Sequence, residues 1–160
     1  MLSFIKTHFL EMTENKLILV LLSALLNVSQ TSDDFFKTKL PDLENKIISF
    51  TDFQNKKATV IIFLLSDCPA SQSYTLTLNK LAKKYSDKNI SFVGIFPGTF
   101  STDDELKIFN HQYKITFPLL KDPEMILAKK LNATVGPSCF LINNDGKTVY
   151  KGRIDDWLYA

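Results

Sequence analysis

Two cysteines stand out among the residues that could do chemistry, and they sit in different contexts. Cys68 lies in Ser66-Asp67-Cys68-Pro69-Ala70-Ser71, where an apolar run gives way to a helical period. A thiol at that junction faces free backbone N–H groups and the positive end of a helix dipole, which together favour a thiolate. Pro69 suits the first helical position, because its ring pre-sets φ and its missing N–H would have been unpaired there. Ser71, one turn on, is placed to donate a hydrogen bond to that thiolate. Asp67 opposes it, since an adjacent carboxylate disfavours a second negative charge. The competing reading of Cys68 is a half-buried, unreactive thiol. Cys139 falls in Ser138-Cys-Phe-Leu-Ile142, a run that reads as a core strand and makes it a small buried hydrophobe. A Cys68–Cys139 bridge would need Cα atoms within about 7 Å and converging side chains. An inward-facing cysteine on a central strand argues against it.

Positioning Cys68 requires a strand before it and a helix after it. Ala58–Leu65 is mostly apolar and rich in β-branched residues, as a buried central strand should be. From Ala70 to Tyr85 the period changes, with Tyr74, Leu78, Leu81 and Tyr85 on one helical face and Lys80, Lys83 and Lys84 off it as a solvated face. Ile90–Phe96 is the next strand, and strand–helix–strand at this spacing predicts a right-handed parallel βαβ unit. Thr102-Asp-Asp-Glu105 has the form of a capping box, and the helix it starts carries Leu106, Phe109 and Tyr113 on one face, with His111 solvated. Phe117–Leu120 is a short apolar stretch, and Pro123 is expected to open a helix through Leu131. Val135-Gly136-Pro137-Ser138 leads into the Cys139 strand. Asn143-Asn-Asp-Gly146 then turns it back through Lys147–Gly152 as a hairpin. Ile47–Phe50 reads as a short edge strand.

The bulk properties narrow the function classes. The chain has 160 residues, 45% of them hydrophobic, and thirteen phenylalanines, enough for one aromatic-packed sheet domain plus an extension. A net charge of +2 without a basic stripe gives no reason to expect nucleic acid as a partner. Two cysteines do not make a disulfide scaffold, and with two histidines and no Cys-x-x-Cys there is no zinc signature. Residues 1–29 contain Leu17–Leu26, an apolar run short of the roughly 20 residues that span a bilayer. It fits a secretory signal, with a retained membrane anchor or a buried helix as alternatives. Residues 30–46, polar and broken by Pro41, read as a linker, and 47–160 as the domain.

From about Ala58 to Trp157 the chain resembles the thioredoxin-like redoxin group that includes the alkyl hydroperoxide reductase/thiol-specific antioxidant proteins, in particular exported bacterial redoxin-domain proteins. The resemblance rests on Ser66–Ser71 followed by Tyr74, on Ile90-Ser-Phe-Val-Gly94, on Phe117-Pro-Leu-Leu-Lys-Asp122, and on Tyr150-Lys-Gly-Arg-Ile-Asp-Asp156. It implies an α/β thioredoxin-like fold, a mixed central β-sheet flanked by helices. Relatives continue into a further C-terminal helix, which this chain, stopping at Ala160, is expected to lack.

The same resemblance implies a thiol-dependent oxidoreductase with Cys68, Ser71 and Pro137 at its catalytic site and no metal or cofactor. Pro137 matches the family's cis-proline, which packs against the active-site cysteine. The implied partners are an external thiol reductant and a peroxide or protein disulfide substrate, and the implied location is the periplasm or cell envelope. The sequence departs from the pattern at Ser71, which stands where a second cysteine would be, so only a one-cysteine cycle is open. Ile61 and Leu65 replace the Pro and Thr of the peroxiredoxin motif, which favours disulfide exchange over peroxide reduction. A non-catalytic binding module on the same scaffold is the competing function. Copper or haem handling would need a soft second ligand near Cys68, and only Cys139 or Met125 could supply one. Arg153, Asp155 and Asp156 read as a solvated strand end, or alternatively as a lock on the active-site face.

Overall fold

The computed structural model describes residues 33–155. They form α1 (Asp33–Phe36), β1 (Lys39–Pro41), β2 (Ile47–Ser49), β3 (Ala58–Phe63), α2 (Pro69–Tyr85), β4 (Ile90–Pro97), α3 (Asp103–Tyr113), β5 (Leu119–Asp122), α4 (Ile126–Leu131), β6 (Ser138–Asn143) and β7 (Thr148–Gly152). Strands β3 to β7 make one mixed sheet in the order β5-β4-β3-β6-β7. The β5-β4-β3 part is parallel, while β6 runs antiparallel to β3 and β7 antiparallel to β6. The apolar run of β3 is therefore explained by its central place, with neighbours on both edges and cover on both faces.

Alternation along β3 divides the core in two. Ile61 and Phe63 face a layer formed with Phe35, Phe36, Leu40, Phe50, Leu127 and Phe140, all buried. Ile62 and Leu64 face the other layer, packed under α2 and α3 through Tyr74, Leu78, Leu106 and Phe109. Aromatic edge contacts tie the first layer together, with Phe35 and Phe50 centroids 5.2 Å apart and Phe63 and Phe140 5.5 Å apart. In the second layer Gly94 is closely approached, since a Cβ there would lie 2.5 Å from the Leu119 side chain, which would have to move aside.

Several expectations change at this level. The proposed linker is folded from residue 33: α1 places Phe35 and Phe36 in the core, and β1 pairs with β2 in a separate two-stranded hairpin. Polar composition concealed this because only Phe35, Phe36, Leu40 and Leu43 of that segment are buried apolar side chains. The strand Ile47–Ser49 thus belongs to that hairpin instead of edging the main sheet. The hairpin meets the main sheet through a bridge between Asp42 and Leu120. Helix α4 begins at Ile126, three residues after Pro123, because Met125 is left-handed at φ 57°. The segment 1–29 lies outside the described residues.

Candidate functional site

Strand β3 ends at Phe63, and Leu64–Asp67 carry the chain to Cys68, the N-cap of α2. Cys68 is extended, at φ −83° and ψ 118°, and its side chain makes no capping hydrogen bond. Its backbone is fixed at both ends: its N–H donates to Leu65 O at 3.2 Å, and its carbonyl accepts from Gln72 N–H at 3.0 Å. Pro69 occupies the first helical position as expected. The result is a partly exposed thiol at a helix start with no acidic residue in the first turn. The N–H groups of Ala70 and Ser71 have no acceptor inside the helix, so that end of α2 favours negative charge. Asp67, beside it, is exposed and therefore well screened by water.

Ser71 is fully buried and its Oγ accepts from Leu65 N–H at 3.1 Å. Its observed bond therefore braces the loop that carries Cys68, where the sequence pointed to a donor for the thiolate. The loop is tied again by Gln72 Nε2 donating to Ser66 O at 2.8 Å and by the Ser66 and Ser101 hydroxyls 2.5 Å apart.

The Gly136–Pro137 peptide bond is cis. Register brings it to the same end of the sheet, since Ser138 pairs with Phe63. A Cβ at Gly136 would lie 3.3 Å from the Leu65 side chain, so the glycine accommodates Leu65. Cys68, Ser71 and Pro137 thus converge on one loop, with Leu65 as the residue common to them. Leu65 was noted in the sequence only as a replacement; its contact with Gly136 is what gives it a place in the site. Ser138, next in the chain, is buried and its Oγ has no partner among the described residues.

Cys139 sits opposite Ile62 on the sheet face that α2 covers. Burial pushes its thiol up to about 11 from 9.0, which matches the inert, hydrophobe-like reading. The two cysteines are not bridged. Met125 packs against the opposite core layer, so it and Cys139 lie on different sides of the sheet and do not form a soft-ligand pair.

Three polar groups that the sequence reading did not single out as functional brace the fold, the Asp122 and Lys121 groups at this end of the sheet and Asn79 towards the other. Both carboxylate oxygens of buried Asp122 accept backbone N–H groups of α4, from Ile126 at 2.7 Å and Ala128 at 2.9 Å. Lys121 donates to Asp103 at 2.7 Å and holds that carboxyl below its usual range. Asn79 binds Thr116 N–H and the Tyr113 and Lys114 carbonyls, joining α2 to the end of α3. Asp155 is exposed, as a solvated strand end would be, and its carboxylate also accepts from buried Tyr74 Oη at 2.6 Å, which ties the segment after β7 to α2. Asp156 lies outside the described residues.

A family model for the AhpC/TSA family matches residues 31–151. The chain belongs to that family. It is 30% identical over 108 residues to the thiol-disulfide oxidoreductase ResA of Bacillus thuringiensis, a match covering 68% of this chain and 61% of that relative's length. Among solved structures, a secreted disulfide oxidoreductase of Mycobacterium tuberculosis superimposes with a TM-score of 0.66 at 18% identity, covering 79% of this chain and 94% of the other. The thioredoxin domain of a Bacteroides vulgatus thiol-disulfide oxidoreductase gives 0.66 at 20%, covering 76% and 87%. At those identities they establish the fold, which is thioredoxin-like. The match beginning at residue 31 also agrees with a domain that starts well before 47.

Proposed function

We propose that this chain is a thiol–disulfide oxidoreductase that works through one cysteine. The observation that carries the reading is Cys68 at the uncapped start of α2, partly exposed, with the cis Gly136–Pro137 bond at the same end of the sheet. The Cys68 thiolate attacks one sulfur of a substrate disulfide. A Cys68–substrate bond forms, the substrate S–S bond breaks, and the departing sulfur takes a proton. With serine at position 71, a first external thiol attacks the Cys68 sulfur of the mixed disulfide and releases the second substrate thiol. A second external thiol then attacks the bond formed with the first, regenerating Cys68 and leaving as the external disulfide. The substrate is reduced and the external thiols are oxidised, with no metal or cofactor in the cycle. Exposed Val135, two residues before Pro137, offers an apolar edge for an extended substrate segment.

Peroxide reduction is the less supported chemistry. It needs donors that position the peroxide, and the place of the family's threonine is taken by Leu65, which packs against Gly136. The apolar run at Leu17–Leu26 supports export to the periplasm or cell envelope, cleaved or retained as an anchor. Among the described residues no helix is long and apolar enough to cross a membrane.

The test is the intact mass of folded protein after incubation with oxidised glutathione, followed by peptide mapping. The reading expects one glutathione on Cys68, removed by added thiol, and none on Cys139. A folded chain whose Cys68 neither takes up glutathione nor alkylates would leave a peptide-binding module instead.

A further inference from the structure

The fold gathers a basic pole at the end of the sheet opposite Cys68. β3 and β4 start there, with Ala58 paired to Ile90, and α2 ends there because it runs back against β3. Lys57 N–H donates to Asn89 O at 2.8 Å, and Asn89 Nδ2 to Asn55 O at 3.0 Å, which joins the loop before β3 to the turn after α2. Lys56 and Lys57 of the loop, Lys88 of the turn, and Lys80, Lys83 and Lys84 of the last turns of α2 therefore lie towards this one end, all exposed except half-buried Lys56. Lys84 and Lys88 lie 5.6 and 4.9 Å from the Tyr85 ring centroid. Against six lysines stand Asp52 and Asp87, with Asp145 and Lys147 together in the β6–β7 turn at the same end, and among the described residues no carboxylate is within ion-pair distance of any of the six. The opposite end carries Asp67, Asp103, Asp104, Glu105 and Glu124. A net charge of +2 for the whole chain conceals this separation.

The pole is also apolar. An open groove of about 530 Å³ beside α2 is lined by Lys80 and Lys83 together with Phe53, Phe92 and Phe117. The side chain of Asn79, which also lines it, is already committed to Thr116 and to the Tyr113 and Lys114 carbonyls.

We propose that this pole docks on an anionic lipid surface. The lysines match the headgroup phosphates, and the aromatic-lined groove beside them admits the upper acyl region. Nucleic acid would use the charge and leave the groove unused. Docked this way, the parallel strands point away from the bilayer and Cys68 faces solvent, so the lysines serve access to the site by orientation. This holds whether or not Cys68 exchanges disulfides.

Hydrogen exchange on the full chain tests it, with phosphatidylcholine vesicles compared with vesicles about one-third phosphatidylglycerol. Because neutral vesicles are the reference, attachment through residues 1–32 cancels. The expected result is exchange slowed at least about tenfold at Asn55–Lys57 and Ser86–Asn89 on the anionic vesicles, reversed by about 0.5 M salt, with Ser66–Cys68 unaffected. K80Q/K83Q/K84Q should abolish the slowing while exchange within β3 shows the fold intact. Equal exchange on both lipids, slowing at Ser66–Cys68, an unaffected triple variant, or the same slowing by inorganic phosphate alone would each overturn the proposal.

Discussion

Three helices start at one end of the sheet, each following a parallel strand, and they are finished differently. α3 begins with a complete capping box, in which Glu105 N–H donates to Thr102 Oγ1 and Thr102 N–H donates to Glu105 Oε2. α4 begins against the buried Asp122 carboxylate. α2, the longest, begins at Cys68 with no side-chain cap. Where a carboxylate or hydroxyl already satisfies the N–H groups, a helix start has nothing left for a substrate. Where a cysteine occupies the cap position without capping, the donors and the dipole remain for a sulfur anion. The chemistry of this end is therefore set by which start is left open.

The sharpest way to break the comparison is Cys68→Ser. Serine is a good N-cap, so this change should close the open start. Glutathionylation at position 68 should disappear entirely, while stability rises by about 0.5–1 kcal/mol in denaturant unfolding. A loss of stability instead would mean that the thiol already does structural work there. Next in size is Asp122→Ala, which opens a start the fold keeps closed. Two N–H groups lose their acceptor in a buried place, and urea unfolding should show a cost of about 3 kcal/mol. Removal of the α4 cap should leave Cys68 exchange in the remaining folded fraction unchanged, since the Asp122 carboxylate bonds α4 and makes no hydrogen bond to that loop among the described residues.

How much of this was legible depended on whether the signal was local. The capping box is four adjacent residues, and its sequence form survives in the structure. The βαβ unit and the Asn143–Gly146 hairpin were equally local, since period and turn chemistry write them directly. Asp122 was visible only as a member of the Phe117–Asp122 stretch. Its role depends on a left-handed Met125 turning α4 back over it, which no local pattern encodes. Residues 33–46 look like a linker because their few apolar side chains are spaced for a short helix and a three-residue strand, too short to show a period. Tyr74–Asp155 and the basic pole join residues that are distant in the chain, so composition could not reveal either. The candidate site itself was read from Cys68-Pro69 and Ser71, but the part played by Leu65 needed the register of β3 against β6.

The second cysteine sharpens the comparison from the other side, as a thiol with no helix start to face. Cys139 is held in an apolar setting that raises its folded value from 9.0 to about 11. A raised value means that the folded state holds the proton longer. Its stabilising effect is complete below pH 9 and is lost as pH climbs from about 9 to 11. Two units correspond to up to about 2–3 kcal/mol, less whatever partial exposure relieves. Cys139→Ala should flatten the decline in stability over that pH window, and Cys139 in the native chain should resist iodoacetamide at pH 8 while Cys68 reacts. Equal alkylation of the two would erase the distinction between an open helix start and a buried strand.

The smallest effect lies at the start closed by exposed groups. Glu105 is held below its usual carboxylate value, first by the Thr102 backbone N–H and then by the Thr102 hydroxyl. A depressed value reverses the sign found for Cys139: stability is complete above the ordinary value of 4.5 and is lost as pH falls through the lower folded one. Glu105→Gln keeps an acceptor for the Thr102 N–H but removes the charge, so it should unfold at nearly the same temperature as the native chain at low pH and slightly lower at neutral pH. Thermal melts at the two pH values measure that difference directly. Because Glu105 is solvent-exposed, the difference should be small beside the Asp122→Ala effect. A comparable loss at the two starts would mean that burial of the capping carboxylate is not what separates α4 from α3.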